Sequence, residues 1–123
     1  MDQEEFEDIF ETQVGLSRNV LVTKAREYAT DDDRLHNFEV AASLIGGTPE
    51  QALWGFLVKH LVSISDMIAS GQDHPDAMWD EKLGDAINYL FLLRAQVVES
   101  KKKLCTTGLE NESKAIPYFP SKV

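Results

Sequence analysis

Two carboxylates, Glu81 and Asp85, stand one helical turn apart, and Asn88 follows three residues later. At that spacing all three fall on one face of a helix. Like charges so placed repel by a few tenths of a kcal/mol on an exposed helix. A divalent cation turns that repulsion into ligation. Magnesium favours carboxylate oxygens and keeps several waters with which to meet phosphate oxygens. The Asn88 carbonyl can support such a site or hold a water. Gly84 lies between the carboxylates, where a mid-helix glycine costs about 1 kcal/mol against alanine. A close approach by another backbone would explain it, for packing as readily as for function. The plainer reading is that any acidic chain carries carboxylates four apart on solvated faces.

A second polar file, Lys59, His60, Ser63 and Asp66, lies upstream. Lys59 and Asp66 are seven residues apart and share a face about two turns apart. Lys24, Glu27 and Tyr28 come earlier still, followed by His36 and Asn37. His60 reads first as a boundary histidine with a satisfied ring, and His36 and His74 as turn or capping residues. Trp54, Trp79 and Tyr89 read as core aromatics. Trp79 is nearest the acidic cluster and able to stack on a base. Gly46-Gly47-Thr48 is too short for a phosphate loop and has no lysine after it. Neither a serine-hydrolase elbow nor a cysteine pair occurs.

These residues need helices to position them, and helical periodicity runs through the chain while strand patterns are nearly absent. Apolar residues from Phe6 to Ala25 predict a first helix over roughly Glu4 to Ala29. A break near Gly15 would leave Ser17 to cap its second part. After a polar turn at Thr30–Arg34, Leu35–Ile45 predicts a short helix ended by Gly46 and Gly47. Thr48-Pro49-Glu50-Gln51 is the clearest helix start, with Thr48 at the N-cap, Pro49 at N1 and Gln51 at N3 of a capping box. That helix should reach Ser70, before Gly71. A last long helix should begin between Pro75 and Met78 and reach about Lys103. Its apolar positions cover more than one face, as in a helix that is central or shared with a second subunit. The organisation is one helical domain over 1–104, then an irregular tail over 105–123 whose Ile116, Tyr118 and Phe119 could pack on the body or on a partner.

Composition bounds the function classes. The chain has 123 residues, 43% of them hydrophobic, with one cysteine and a formal net charge of −9. One domain of this size can bury a core without disulfides. The negative surface repels a nucleic-acid backbone, so direct DNA or RNA binding is disfavoured and a metal bridge becomes the route to any phosphate ligand. The acidic start is not a signal peptide, and the runs LVKHLVSI and INYLFLL are too short to span a membrane. The cytoplasm is the compartment these features favour.

Glu81-Lys82-Leu83-Gly84-Asp85-Ala86-Ile87-Asn88-Tyr89-Leu90 resembles the last core helix of the all-α NTP pyrophosphohydrolases, the MazG-like and dimeric dUTPase superfamily. The nearer likeness is to its small phage-borne members, through Glu27-Tyr28, Asn37-Phe38, Lys59 and Asp85-x-x-Asn88-Tyr89. The likeness spans about 24–94. It implies an all-α, four-helix core completed by oligomerisation into a homodimer or homotetramer, in the host cytoplasm if phage-encoded. It also implies magnesium or manganese held by carboxylates, and hydrolysis of a nucleoside triphosphate to monophosphate and pyrophosphate. On that pattern Asp85, Glu81, Glu27 and Asp66 would hold metal, with Asp66 also a base for water and Lys59 a point charge on the leaving phosphates. Lys59, His60, Asn88 and Trp79 would face the substrate. The family's glutamate three residues before the aspartate is replaced by Lys82, and its Glu-x-x-Glu on the preceding helix is absent. The alternative is therefore a non-catalytic phage or prophage protein that binds a nucleotide or a partner on the same scaffold.

Overall fold

The structure is a computed structural model that describes residues 1–25 and 33–107. All regular structure among the described residues is helical. Helix α1 spans Gln3–Arg18 and continues as a π-helical segment, Asn19–Lys24. Helices α2 (His36–Ile45), α3 (Pro49–Ser70) and α4 (Asp76–Thr107) follow. The protein is thus all-α, with four α-helices over the described residues.

Local chemistry sets the boundaries. Asp2 accepts from Glu5 N–H at 2.9 Å, and Glu5 Oε2 accepts from Asp2 N–H at 2.8 Å, a capping box that opens α1. No break occurs at Gly15. The helix runs through it, and Ser17 is a buried residue inside α1 instead of a cap. The irregularity comes later, at the π-helical segment, whose wider turns carry both Leu21 and Val22 to one groove. Asp33 Oδ1 accepts from Leu35 N–H and shapes the turn into α2. Gly46, at φ 69°, ends α2, and Gly47 N–H reaches back to the Ala42 carbonyl. Thr48 and Gln51 form the expected capping box. The returning Gln51 side chain explains Gly47, since a Cβ there would lie 2.6 Å from Gln51 Oε1. Gly71, at φ 65°, ends α3.

Packing centres on α3, which lies against α2 on one side and α4 on the other. Leu35, Phe38 and Leu53 form the buried cluster, with Tyr89, Leu92 and Leu93 packed around it. Leu53 and Leu57 are the deepest apolar side chains. Trp54, expected in the core, points outward and is 51% exposed. It lies one residue past Leu53, a rotation of about 100° around the helix. Polar links close the far end of the bundle: Ser100 donates to Glu50, and Lys103 pairs with Glu39. The Glu39 carboxylate raises the Lys103 ammonium pKa above its ordinary value.

Helix α1 meets the rest of the chain through α4. Its Gln13 side chain lies beside Gly84, where a Cβ would sit 3.5 Å from Gln13 Nε2, ordinary van der Waals contact. Further along both helices Leu21 and Phe91 share a groove, so the two run in the same direction. Among the described helices α3 alone is long and apolar enough to cross a membrane, with 22 residues and mean hydropathy 1.3 over its most apolar window. That average comes from leucine, valine, isoleucine and phenylalanine residues spread along the whole helix beyond the contiguous Leu-Val run, while Lys59, His60 and Asp66 interrupt it.

Candidate functional site

The polar files of α3 and α4 come together at one place. His60, from α3, and Asp85, from α4, face each other with Nδ1 and Oδ2 3.6 Å apart. This is an ion-pair contact when the ring is protonated, and longer than a direct hydrogen bond. The His60 side chain is 23% exposed and that of Asp85 40%, so the pair sits at the rim of the seam. Tyr89, one turn after Asp85, stacks on His60 with ring centroids 5.0 Å apart. Tyr89 also stacks on Phe56 at 6.3 Å, and Phe56 meets Phe38 edge-on at 6.0 Å. A continuous aromatic file therefore runs from the core at Phe38 to the carboxylate of Asp85. Tyr89 packs on a face of the His60 ring, whose Nδ1 is directed to Asp85.

Asn88 lies one turn beyond Gly84 on α4 and is buried, and its Oδ1 has no hydrogen-bond partner. Gln13 Nε2 and Ser17 Oγ, one turn apart on α1, are likewise buried without partners. Buried polar atoms normally find partners, and each exception calls for a reason. The file-sharing of Glu81, Asp85 and Asn88 read from spacing holds in α4, but the three differ in surroundings. Glu81 is 65% exposed and contacts Lys82 at 3.9 Å, Asp85 is at the rim, and Asn88 is inside.

The remaining predicted residues are dispersed. Lys59 is exposed beside His60. Asp66 is exposed six positions after His60, about 9 Å along the α3 axis. Trp79 is half-buried against His74, edge-on with centroids 5.9 Å apart. Ser70 Oγ donates to the Met67 carbonyl, so it accepts from Gln72 N–H and from the His74 ring. His74 is thus the turn residue its position predicts. Glu27 lies outside the described residues, as does Tyr28. Among the described residues no three of His, Cys, Asp and Glu are grouped to hold a metal ion.

Sequence reasoning missed the His60–Asp85 contact and the buried amides. The contact depends on the crossing of two helices and has no local signal. Gln13 and Ser17 left none: they share a helical file with Phe6 and Phe10, which are half exposed, so spacing alone did not mark that file as inward. Compared with known proteins, the chain matches no family model, no curated protein and no solved structure.

Proposed function

We propose that the chain hydrolyses a metal-bound nucleoside triphosphate to the monophosphate and pyrophosphate, with Asp85 at the centre of the site. The observation that carries this is the setting of Asp85: a rim carboxylate beside His60, on an α4 face that also carries Glu81 and Asn88. The likeness of that helix to the MazG-like enzymes supports the same reading.

One copy's described residues do not enclose a metal by themselves. Glu81 and Asp85 nonetheless fit an ion delivered with the triphosphate, because magnesium completes its shell with phosphate oxygens and waters and needs only one or two carboxylates. Such an ion lowers the pKa of a bound water and neutralises phosphate charge. The chain's own residues do the rest. Asp85 and Glu81 anchor the metal–nucleotide complex, and Glu27 is the further carboxylate candidate. Lys59 offsets charge on the departing phosphates, Asp66 is the proton acceptor for water, and Asn88 and Trp79 orient the substrate. His60 limits the freedom of the Asp85 carboxylate.

The dispersal of Asp66 favours one competing reading, a protein that binds nucleotide without hydrolysing it. Pyrophosphate release from a panel of ribo- and deoxyribonucleoside triphosphates, with magnesium or manganese, separates the two. The hydrolase releases pyrophosphate from at least one of them. Asp85→Asn then lowers the rate about 100-fold or more, the scale of removing one group that stabilises transition-state charge. Silence from folded protein across the panel rejects the hydrolase.

A further inference from the structure

We propose that α1 is a hinged cover over Asn88: Gln3–Arg18 swings off α4 about the π-helical segment and exposes the Asn88 amide. The motion stands on the packing of α1 alone. Its use, access of a nucleotide to Asn88, rests on the hydrolase reading.

Gly84, Asn88 and Phe91 follow one another at four- and three-residue spacing and share one face of α4. Gln13 of α1 lies beside Gly84, and Ser17 and Leu21 share a groove with Phe91. Helix α1 and its continuation therefore lie along this face. Asn88, between the two contacts, is only 8% exposed. A side chain so covered cannot orient a substrate until the cover moves.

The seam is poorly satisfied. Gln13 Nε2, Ser17 Oγ and Asn88 Oδ1 are three of the four buried side-chain atoms without hydrogen-bond partners among the described residues. Opening gives each of them to water, so the closed form forgoes bonds that the open form makes. Apolar contact offsets little of this. Ser17 is the one buried residue of α1, Phe6, Ile9 and Phe10 are each about half exposed, and a groove of about 230 Å³ stays open beside Phe91. Polar ties are missing as well. The described side-chain hydrogen bonds and ion pair of this end of the chain, from Met1, Asp2 and Gln3 to Glu5 and Glu7, stay within it. By contrast, Glu50 and Ser100 link α3 to α4, and Glu39 and Lys103 link α2 to α4. The buried cluster contains no residue of α1, so the core survives the opening. Asn19–Lys24 supplies the pivot, since helices bend where a π-helical turn interrupts the regular ladder. An element held by so few buried contacts opens at a lower free energy than the core does.

Thiol labelling of the full chain tests the motion. In a Cys105→Ser background, Ser17→Cys puts a thiol of nearly the same size under the cover. Ala52→Cys puts one in α3, where the side chain is 6% exposed. The thiol at position 17 should react at least about 100-fold faster than the one at position 52. Native-state hydrogen exchange makes the same comparison in wild type. The amides of residues 14–18 should be at least about 100-fold less protected than those of residues 53–57. Equal rates in either measurement overturn the cover. Gln13→Leu removes one unpaired group from the closed form and should slow labelling at position 17 about tenfold. Unslowed labelling overturns the part given to that group. For any triphosphate the chain hydrolyses, Gln13→Leu should also raise KM by the same factor and leave kcat unchanged, because the binding-competent form is rarer. A KM that stays put while labelling slows overturns access to Asn88. Fast labelling at position 17 from a chain that releases no pyrophosphate supports the motion and rejects the hydrolase reading.

Discussion

Leu53 and Trp54 are neighbours in sequence with opposite fates, 0% and 51% exposed. Leu53→Ala removes atoms from the centre of the α2–α3–α4 cluster and leaves a cavity, so it should cost about 2–5 kcal/mol in chemical denaturation. Trp54→Ala, although the larger truncation, should cost less, about 1–2 kcal/mol, because half of its surface already meets water. Equal losses would mean that Trp54 is covered in solution by another molecule. The candidate site residues were visible at this scale from type and spacing alone: Asp85, Glu81, Asn88, Lys59 and His60. Their partners were not. Asp85 and His60 are far apart in sequence, and only the α3–α4 crossing sets them 3.6 Å apart.

Helix ends were the most legible elements, because the groups that satisfy the first N–H donors and last carbonyls are short-range and chemically distinctive. The Thr48–Gln51 box and the left-handed glycines at 46 and 71 occur where the sequence indicated. Thr48→Ala should therefore destabilise the fold by about 1 kcal/mol. Gly55→Ala should act oppositely in the same helix. A Cβ at Gly55 meets nothing within 4 Å, so the change recovers up to ~1 kcal/mol of helix propensity without strain. Thermal melts of the two variants, shifted in opposite directions, check both signs. The interior of the first helix was less legible. Gly15 suggested a break, yet α1 absorbs it, and the departure from α-helical geometry falls at Asn19–Lys24 instead. A single glycine lowers helix propensity by an amount that neighbouring contacts readily offset.

For the molecule as a whole, exposed apolar side chains are the dominant feature. Phe6, Ile9, Phe10, Leu90 and Phe91 remain open around α1 and α4 while the buried cluster is confined to the place where α2, α3 and α4 meet. If copies associate through that surface, the melting temperature rises with protein concentration, since association stabilises the folded state by mass action. Calorimetry at two concentrations about a hundredfold apart should show a shift of several degrees. A melting temperature independent of concentration would place the folded chain as a monomer. The broad apolar surface of α4 was readable from periodicity, but periodicity cannot tell a core face from an interface face, because both are dry in the final assembly.

The sequence by itself determined the helical class, the order of the elements, the caps that bound α3 and the polar files that could carry chemistry. Those properties follow from neighbours within one or two turns, where backbone geometry and side-chain type suffice. Only the tertiary structure decided that His60 guards Asp85, that Asn88, Gln13 and Ser17 go inside while Trp54 goes outside, and that Glu81 is left in solvent. Each of these depends on which face of a helix meets which neighbour. That choice is made by the summed burial of long-range contacts and not by any local preference.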